Sequence, residues 1–334
     1  MAELRVGVLG GGSWGTTVAA LVSRNAPVTL WARSAAIVHE ISESHTNEKY
    51  LPGIRLPVKL KASADLAAVV AGSDVLVMAI PSQNFRAVLE NVRDHIRAWV
   101  PVISLTKGLE AGTRKRMTEI VEEVLPGHPV GVLTGPNLAR EIMEGRAAAS
   151  VLAMKDGGNT ELLRPLFNSG LFRVYSNEDV IGCELGGVLK NIIAIAVGMG
   201  DGLGAGDNTR AGLITRGLAE ITRLGVALGG RAETFSGLAG MGDLIATCVS
   251  PQSRNRHVGL ELGKGRHIDE IIRDMVMVAE GVKSAPVVME LAKAHGIRMP
   301  IAEDVYKVLT GESSVQRAFR GLLRVSAGAE SEPG

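Results

Sequence analysis

The chain has 334 residues, which is enough for two domains that each bury a core. Its 36 basic and 35 acidic residues leave a net charge of +1, so the sequence predicts no nucleic-acid partner and no general attraction to anionic membranes. The composition, 46% hydrophobic and 21% charged, is typical of a globular protein. Two cysteines, Cys183 and Cys248, make no disulfide framework and favour a reducing, cytoplasmic location.

The first half of the chain alternates apolar strands with helical segments. The predicted strands and extended pieces are 4–9, 28–31, 58–60, 74–80, 101–105, 130–133, 148–153 and 172–175. Continuous apolar strands separated by helices predict a mostly parallel sheet with helices on both faces. Because the first strand begins at residue 4, we expect no secretory signal peptide.

A glycine-rich turn with the pattern G-x-G-x-x-G follows the first strand and precedes a predicted helix, 16–23. In this pattern Gly10 allows a tight turn, Gly12 lets backbone N–H groups approach a pyrophosphate, and Gly15 lets helix and strand pack closely. The second strand follows within about 30 residues of the first. We therefore predict that residues 1–180 form an α/β, Rossmann-type domain that binds a dinucleotide.

The end of the second strand bears on which dinucleotide binds. Sites that prefer NAD carry an acidic residue about 20 positions beyond the glycines, where it binds the ribose 2′-hydroxyl. Here the strand ends in Arg33-Ser34, and the first acidic residue is Glu40. Arg33 can pair with a 2′-phosphate, so we expect NADP(H) to be accepted and NAD(H) not to be excluded.

From about residue 180 the apolar residues recur at helical spacing, and no further strand is predicted. We expect 181–325 to form an all-α domain for substrate binding and catalysis, and 326–334 to be a disordered tail. The most apolar stretch, 185–200, contains Lys190 and Asn191 and is shorter than a membrane-spanning helix. We therefore expect no membrane insertion.

Three polar segments come directly after predicted strands, at 81–83, 106–108 and 135–137. In an open α/β sheet, ligands bind outside the carboxyl ends of the strands. Lys107 is therefore expected to point toward the crevice where cofactor and substrate meet. Pro136 is expected in the first turn of a helix, whose remaining N–H groups could bind an anion or a carbonyl.

Lys190 is the only charged residue between Glu184 and Asp201, in a helix that is apolar nearly all round. Small residues lie beside it at helical spacing, so another element or a ligand can approach closely. Burial makes a lysine easier to hold neutral than in water, which suits it to acid/base chemistry. Downstream, Asp243 sits in a tight glycine turn and is a candidate to orient or tune Lys190.

The segment 253–256 resembles a phosphate-binding helix end. Ser253 is a predicted N-cap, and Arg254, Asn255 and Arg256 fill the first turn. Cations there oppose the helix dipole unless an anion occupies the end. N–H groups and arginine side chains at this end would bind a phosphate. No spacing of histidines, cysteines and carboxylates predicts a metal site.

Several blocks of sequence occur in the order found in one family of dehydrogenases. They are Gly10–Gly15, Tyr50–Gly53, Thr106–Glu110, Gly135–Asn137, Glu184–Asn191, Gly206–Asn208, Gly237–Asp243, Ser253–Arg256 and Ala279–Gly281. From Gly10 to about Tyr306 the chain resembles the NAD(P)-dependent sn-glycerol-3-phosphate dehydrogenases of the soluble bacterial type. It departs from many members at Asn137, where they carry Ser or Thr.

The resemblance implies reversible reduction of dihydroxyacetone phosphate by NAD(P)H to sn-glycerol 3-phosphate, a precursor of phospholipids, in a homodimer. It implies that Lys190 is the general acid/base and that Asp243 supports it. The implied substrate-binding residues are Lys107, Gly135, Asn137, Lys190, Asp243, Ser253, Arg254 and Asn255. The implied cofactor-binding residues are Gly10, Gly12, Ser13, Trp14, Gly15, Arg33, Lys107, Ala139, Arg254, Val278 and Glu280.

Two other functions fit the same motifs. One is a 3-hydroxyacid dehydrogenase of the same architecture, whose substrate carboxylate would occupy the helix end instead of a phosphate. Because arginine binds both anions, Arg254 alone does not separate these substrates. The other is a non-catalytic NADP-binding sensor. A sensor has no need of Lys190 and Asp243, both of which this chain carries.

Overall fold

The computed structural model describes residues 3–275 and 277–324, the side chains of 321–324 excepted. The predicted tail, 326–334, lies outside these residues. The described residues within Met1–Thr106 and Lys115–Val180 form one compact unit, and those within Lys107–Arg114 and Ile181–Gly334 form a second. The boundary predicted at residue 180 assigns Lys107–Arg114 to the first unit, whereas this segment groups with the second.

The first unit contains an eight-stranded sheet with the order β3-β2-β1-β4-β5-β6-β7-β8. The strands are β1 (Val6–Leu9), β2 (Val28–Trp31), β3 (Lys61–Ser63), β4 (Val75–Met78), β5 (Val102–Ser104), β6 (Val130–Thr134), β7 (Ala148–Met154) and β8 (Phe172–Asn177). All neighbours pair in parallel except β6 and β7, which are antiparallel. The predicted, mostly parallel sheet is confirmed.

Strand β1 lies at the point where the order of the strands reverses, because β2 pairs with one of its edges and β4 with the other. In open α/β sheets this switch point is where ligands bind, outside the carboxyl ends of the strands. The glycine turn at Gly10–Gly15 leaves β1 at this end. The topology therefore puts the predicted dinucleotide-binding turn in the expected place.

Helices cover both faces of the sheet. They are α1 (Ser13–Val22), α2 (Ala35–His39), α3 (Leu66–Ala71), α4 (Ser82–Arg93), α5 (Met117–Val124), α6 (Ala139–Met143) and α7 (Gly157–Phe167), with a π-helical turn at Glu40–Ser44. One buried cluster joins α1, α6 and α7 to the strands, and a separate one joins α3, α4 and α5 to them. Helices on both faces were predicted, and the two clusters confirm them.

Two local predictions in this unit are wrong. The piece 58–60 is not extended, because Pro57 starts a turn in which Leu60 N–H donates to the Pro57 carbonyl (2.9 Å), and β3 begins one residue later. Pro136 is not in the first turn of a helix. Helix α6 begins only at Ala139, with Leu138 as its N-cap, so Pro136 belongs to the preceding bend.

The second unit is helical, and no strand occurs among its described residues, as predicted. Its helices are α8 (Val180–Gly202), α9 (Asp207–Ala227), α10 (Ala232–Phe235), α11 (Asp243–Val249), α12 (Arg254–Gly263), α13 (Ile268–Asp274), α14 (Glu280–Ala294), α15 (Pro300–Leu309) and α16 (Val315–Arg324). A π-helical turn, Leu238–Gly242, leads directly into α11. The apolar residues of these helices form one core around α8.

Helix α8 is longer than the apolar stretch suggested. With 23 residues it is long and apolar enough to cross a membrane by length and composition, so the expectation of a shorter segment is wrong. However, 94% of its most apolar window is buried inside the protein. Its hydrophobic character is explained by its central position in the core of the second unit, where it is surrounded by other helices.

Candidate functional site

The three motif glycines of the first unit have three different environments. Gly10 has φ +122°, a conformation that L side chains rarely adopt. A Cβ on Gly15 would lie 2.1 Å from the Gly10 carbonyl oxygen, so only glycine lets α1 approach β1 this closely. Apart from its own neighbours in the chain, a Cβ on Gly12 would meet no atom of the described residues within 4 Å. The open side of the turn is therefore at Gly12, which is also the N-cap of α1.

This turn fits the phosphates of a dinucleotide. Gly12 has no side-chain oxygen to cap α1, and an uncapped helix N-terminus next to open space favours an anion. Ser13 and Trp14 form the start of the helix. The Trp14 indole packs edge-to-face on Phe172, with ring centroids 6.3 Å apart, and its buried Nε1 has no hydrogen-bond partner among the described residues.

In the second unit, α8 brings Lys190 to a buried carboxylate. The Lys190 Nζ atom lies 3.1 Å from Asp243 Oδ1, and the two side chains are only 6% and 3% exposed. Lys190 also donates to the Thr247 hydroxyl (2.5 Å), which itself donates to the Asp243 backbone carbonyl (2.6 Å). Asp243 and Thr247 are one helical turn apart on α11, so a single face of this helix holds the ammonium group.

A close helix contact explains why small residues surround Lys190. A Cβ on Gly186, one turn before Lys190, would lie 2.5 Å from the Ala239 carbonyl oxygen. Ala239 belongs to the π-helical turn that precedes Asp243. The small-residue face was predicted to admit another element or a ligand. The structure shows that it admits the segment that carries Asp243.

Lys107 shares the same carboxylate. Its Nζ atom lies 2.6 Å from Asp243 Oδ2, so one buried aspartate contacts two lysines, one through each oxygen. Burial lowers the pKa of Lys190 to about 8; the charge on Asp243 opposes this fall, and the charge on Lys107 adds to it. Burial also raises the pKa of the neighbouring Cys248 thiol to about 12, so this thiol is neutral at physiological pH.

Helix α12 begins as predicted. The Ser253 side chain accepts a hydrogen bond from Arg256 N–H (3.2 Å), which confirms Ser253 as the N-cap. The two arginines of the first turn differ. Arg254 is exposed and donates to the Val278 carbonyl (2.8 Å), whereas Arg256 pairs with the buried Asp201 (2.7 Å). Arg256 was expected to help to bind an anion, but its charge is already compensated.

A chain of amide hydrogen bonds connects this helix end to the residue after Lys190. Asn255 donates to Asn191 Oδ1 (2.9 Å) and accepts from Gly281 N–H (3.0 Å). Asn191 directly follows Lys190 on α8, and Asn255 lies in the first turn of α12. The buried lysine and the predicted anion-binding helix end therefore have a fixed relation within the second unit.

Comparison with known proteins identifies the family. Residues 5–160 match the family model for the N-terminus of NAD-dependent glycerol-3-phosphate dehydrogenase, and residues 179–320 match the model for its C-terminus. The chain belongs to this family. The protein is therefore an NAD(P)-dependent oxidoreductase.

Individual relatives agree with this assignment. A protein from Sphingopyxis alaskensis, named NAD(P)+ glycerol-3-phosphate dehydrogenase, is 73% identical over 99% of this chain and all of its own length. One of the same name from Mycobacterium bovis is 54% identical over 98% of this chain and 96% of its own. The crystal structure of a glycerol-3-phosphate dehydrogenase from Coxiella burnetii superimposes with a TM-score of 0.92 at 39% identity, covering 96% of this chain and 99% of that one.

The other predicted residues of the dehydrogenase's first unit lie at strand and helix ends. Arg33 follows β2, and its exposed side chain makes no ion pair or hydrogen bond among the described residues. Gly135, at φ +136°, and Asn137 follow β6. The Asn137 Oδ1 atom accepts from the Ser150 hydroxyl, while its buried Nδ2 has no partner in the described part of the chain. Ala139 begins α6.

The remaining predicted residues belong to the second unit. Val278 is exposed and its carbonyl accepts the hydrogen bond from Arg254, so two of the implied cofactor-binding residues are in contact. Glu280 is the first residue of α14. In the described part of the chain, no group of three or more histidines, cysteines, aspartates and glutamates could hold a metal ion.

Three residues that support the site were missed. Thr247 accepts a hydrogen bond from Lys190, and Asn191 accepts one from Asn255. Asn47 donates a hydrogen bond to the Gly11 carbonyl oxygen of the glycine turn (3.0 Å). Thr247 lies four positions after Asp243, so helical spacing could have placed it beside Lys190. Asn191 directly follows Lys190, and a polar residue in an apolar helix is itself a sign of a buried hydrogen bond. Nothing in the local sequence places Asn47 beside a turn 36 positions earlier.

Proposed function

We propose that this dehydrogenase catalyses reversible hydride transfer between NAD(P)H and dihydroxyacetone phosphate, giving sn-glycerol 3-phosphate as a precursor for phospholipid synthesis. The observation that carries the proposal is the buried Lys190–Asp243 pair, tied through Asn191 and Asn255 to the start of α12. A small ketone phosphate has one group for each part: a carbonyl for the lysine and a phosphate for the helix end.

The chain's own residues supply the proton. Protonated Lys190 donates it to the C2 oxygen during reduction, and the positive charge of its ammonium group stabilises the oxygen as negative charge develops. Because the pKa of Lys190 is about 8, the acid form predominates near neutral pH and the base form is readily accessible for the reverse reaction. A bound nicotinamide supplies the hydride.

Asp243 and Lys107 have separate roles in this proposal. Asp243 orients Lys190 and keeps its pKa from falling further, because it places a negative charge 3.1 Å from Nζ. Lys107 competes for the same carboxylate and lowers the pKa of Lys190. We propose that Lys107, Gly135 and Asn137 also bind the substrate, as do the first-turn residues Ser253, Arg254 and Asn255.

The cofactor is held by the glycine turn. Gly10, Gly12 and Gly15 form it, and we propose that the residues implied by the family pattern line the rest: Ser13, Trp14, Arg33, Lys107, Ala139, Arg254, Val278 and Glu280. Arg33 has no carboxylate partner in the described part of the chain, which supports pairing with a 2′-phosphate. We further propose that the protein is cytoplasmic and that its substrate-binding and dinucleotide-binding domains are separate. We also propose that it forms a homodimer, and sedimentation at several protein concentrations would test this oligomeric state.

The decisive experiment is an initial-rate assay at the reduced nicotinamide band with dihydroxyacetone phosphate, NADPH and NADH being tested in parallel. Saturable oxidation that fails with unphosphorylated dihydroxyacetone supports the proposed reaction. Turnover only with 3-hydroxy or 3-keto acids would favour the carboxylate-specific dehydrogenase. NADPH binding without turnover of any of these substrates would favour the non-catalytic sensor.

A further inference from the structure

Asn47 is a completely buried amide in the segment between α2 and β3. It reaches the cofactor-binding turn and donates both of its side-chain N–H groups there. One goes to the Gly11 carbonyl oxygen (3.0 Å) and the other to the Thr16 hydroxyl (2.9 Å). The amide therefore bridges the middle of the glycine turn and the first turn of α1.

The bond to Gly11 fixes the orientation of one peptide group. The carbonyl of Gly11 and the N–H of Gly12 belong to the same planar trans peptide, so they point in opposite directions. Because Asn47 holds the Gly11 carbonyl toward its own side chain, the Gly12 N–H points away from Asn47. Gly12 is also the glycine with open space beside its Cα.

Other contacts already fix the two sides of this peptide. Gly10 N–H donates to the Trp31 carbonyl (2.9 Å), which ties the start of the turn to the sheet. Thr16 N–H donates to the Gly12 carbonyl (2.9 Å), which is the first bond of α1. Without Asn47, the Gly11–Gly12 peptide could rotate between these anchors, because glycine imposes little restriction on its own dihedrals.

The segment that carries Asn47 is itself held in place. The Glu40 carboxylate accepts from the Thr46 hydroxyl (2.9 Å) and from Glu48 N–H (2.6 Å), which are the two residues that flank Asn47. Leu51 N–H donates to the Asn47 carbonyl (2.7 Å). Glu40, the first acidic residue after the glycines, therefore fixes this loop.

We propose that Asn47 is a positioning residue that directs the Gly12 N–H toward the pyrophosphate of the nicotinamide cofactor. This inference rests on the cofactor site of the proposed function. An aspartate at this position has no N–H to donate and would face the Gly11 carbonyl with a negative charge. An alanine would leave that carbonyl without its donor.

The test is to compare Asn47→Ala with Asn25→Ala. Asn25 lies just beyond the other end of α1 and also donates to two backbone carbonyls, those of Leu166 (3.0 Å) and Asn168 (2.6 Å). We expect Asn47→Ala to raise both the KM and the Kd for NADPH by about tenfold, with kcat at saturating cofactor changed by less than about twofold. Asn25→Ala should leave both constants unchanged.

A second variant covers the case in which Asn47→Ala does not fold. Thr16→Val removes one acceptor of the Asn47 amide and keeps its bond to Gly11. It should raise the NADPH Kd by about twofold to threefold, which fluorescence titration can measure without turnover. Equal cofactor affinity in wild type and both variants of the Asn47 contact would overturn the proposal, and so would an equal loss in Asn25→Ala. A wild-type protein that binds no NADPH would instead refute the proposed function.

Discussion

The two units of this dehydrogenase each carry a candidate site, and the two sites are built from different groups. In the first unit the glycine turn acts through its backbone, and its shape depends on what glycine lacks: a Cβ at Gly10 or Gly15 would collide with protein atoms. In the second unit, the candidate groups are the charged side chains of Lys190 and Asp243, which are buried, and of Lys107, which is partly buried. The first kind of site is set by local conformation, and the second by distant neighbours.

This difference determines how each part should fail. A backbone site fails when an atom is added or a peptide rotates, and the loss should fall on cofactor affinity. A buried-charge site fails when one charge is removed, because the remaining charge is then buried away from water without an ion-pair partner. The loss should then fall on turnover and on pH dependence. Substitutions in the two units can therefore separate these two kinds of loss.

The largest effect is expected from Lys190→Ala. Removing a general acid costs about 10²- to 10⁴-fold in rate, so kcat should fall by this factor while the Kd for NADPH changes by less than about twofold. Stopped-flow turnover and fluorescence titration measure the two quantities. The control is Lys264→Ala, which removes an exposed lysine paired with Glu261 in the same unit. Turnover close to that of the control would remove Lys190 from the chemistry.

Asp243→Asn should change the pH profile. In the wild type, reduction should decline above about pH 8 and oxidation should rise there, because the Lys190 pKa of about 8 sets the fraction of proton donor. Asp243 opposes the fall of this pKa, so its loss should move the limb of kcat/KM to lower pH. Each pH unit of movement costs about tenfold in reduction rate above the limb. A limb that stays near pH 8 would contradict the role of Asp243.

Gly12→Ala and Gly15→Ala should separate affinity from folding in the backbone site. Gly12 has φ −76° and open space, so alanine should fold normally while its methyl group obstructs the pyrophosphate, raising the NADPH Kd by about tenfold. In Gly15→Ala the new Cβ would meet Gly10 O at 2.1 Å, so the melting temperature should fall instead. A Gly12→Ala protein that melts early but binds NADPH normally would reverse this assignment.

Much of the fold could be predicted because its signals are local. The β1–turn–α1 unit follows from apolar strand residues and three glycines, and seven of the eight strands were placed on the chain to within a few residues. The short β3 was misplaced because Pro57 and the apolar residues after it form a turn. The start of α6 was misplaced because a proline fits both a bend and a first helical turn.

The site could be predicted only where residue type alone limits the chemistry. A lysine in an apolar helix has few explanations, so the burial of Lys190 could be predicted, and its contact with Asp243 could be proposed from the glycine turn. That Lys107 shares this carboxylate could not be predicted, because the contact joins positions 136 apart. Arg254 and Arg256 look alike in the sequence, and only the distant Asp201 distinguishes them.

A smaller effect is expected for Arg33→Asp in the first unit. Arg33 is exposed and pairs with no carboxylate of the described residues, so its replacement should leave folding unchanged and weaken NADPH binding through repulsion of a 2′-phosphate. The aspartate can accept a hydrogen bond from the ribose 2′-hydroxyl of NADH. The ratio of kcat/KM for NADPH over NADH should fall by about threefold to tenfold. If the ratio is the same as in the wild type, Arg33 does not contact the 2′-phosphate.

The smallest effect concerns another buried ionisable group of the helical unit, Glu220 on α9. Its carboxylate accepts from Ile301 N–H (2.8 Å) and Ala302 N–H (3.2 Å) at the start of α15, and burial raises its pKa to about 7 although both bonds oppose this. Because the folded pKa lies above that of the unfolded chain, the folded state binds more protons between about pH 4.5 and 7. The contribution of Glu220 to the free energy of unfolding should therefore fall as pH rises through this range.

Glu220→Gln should remove this dependence without changing turnover. The difference in melting temperature, Glu220→Gln minus wild type, should increase by a few degrees between about pH 5 and pH 8. The control is Glu303→Gln, an exposed residue in the first turn of α15. If the Glu220→Gln protein lost turnover while keeping its melting temperature, a buried charge far from Lys190 in sequence would belong to the catalytic machinery. A change confined to stability would instead show that the raised pKa of Glu220 affects folding and not the reaction.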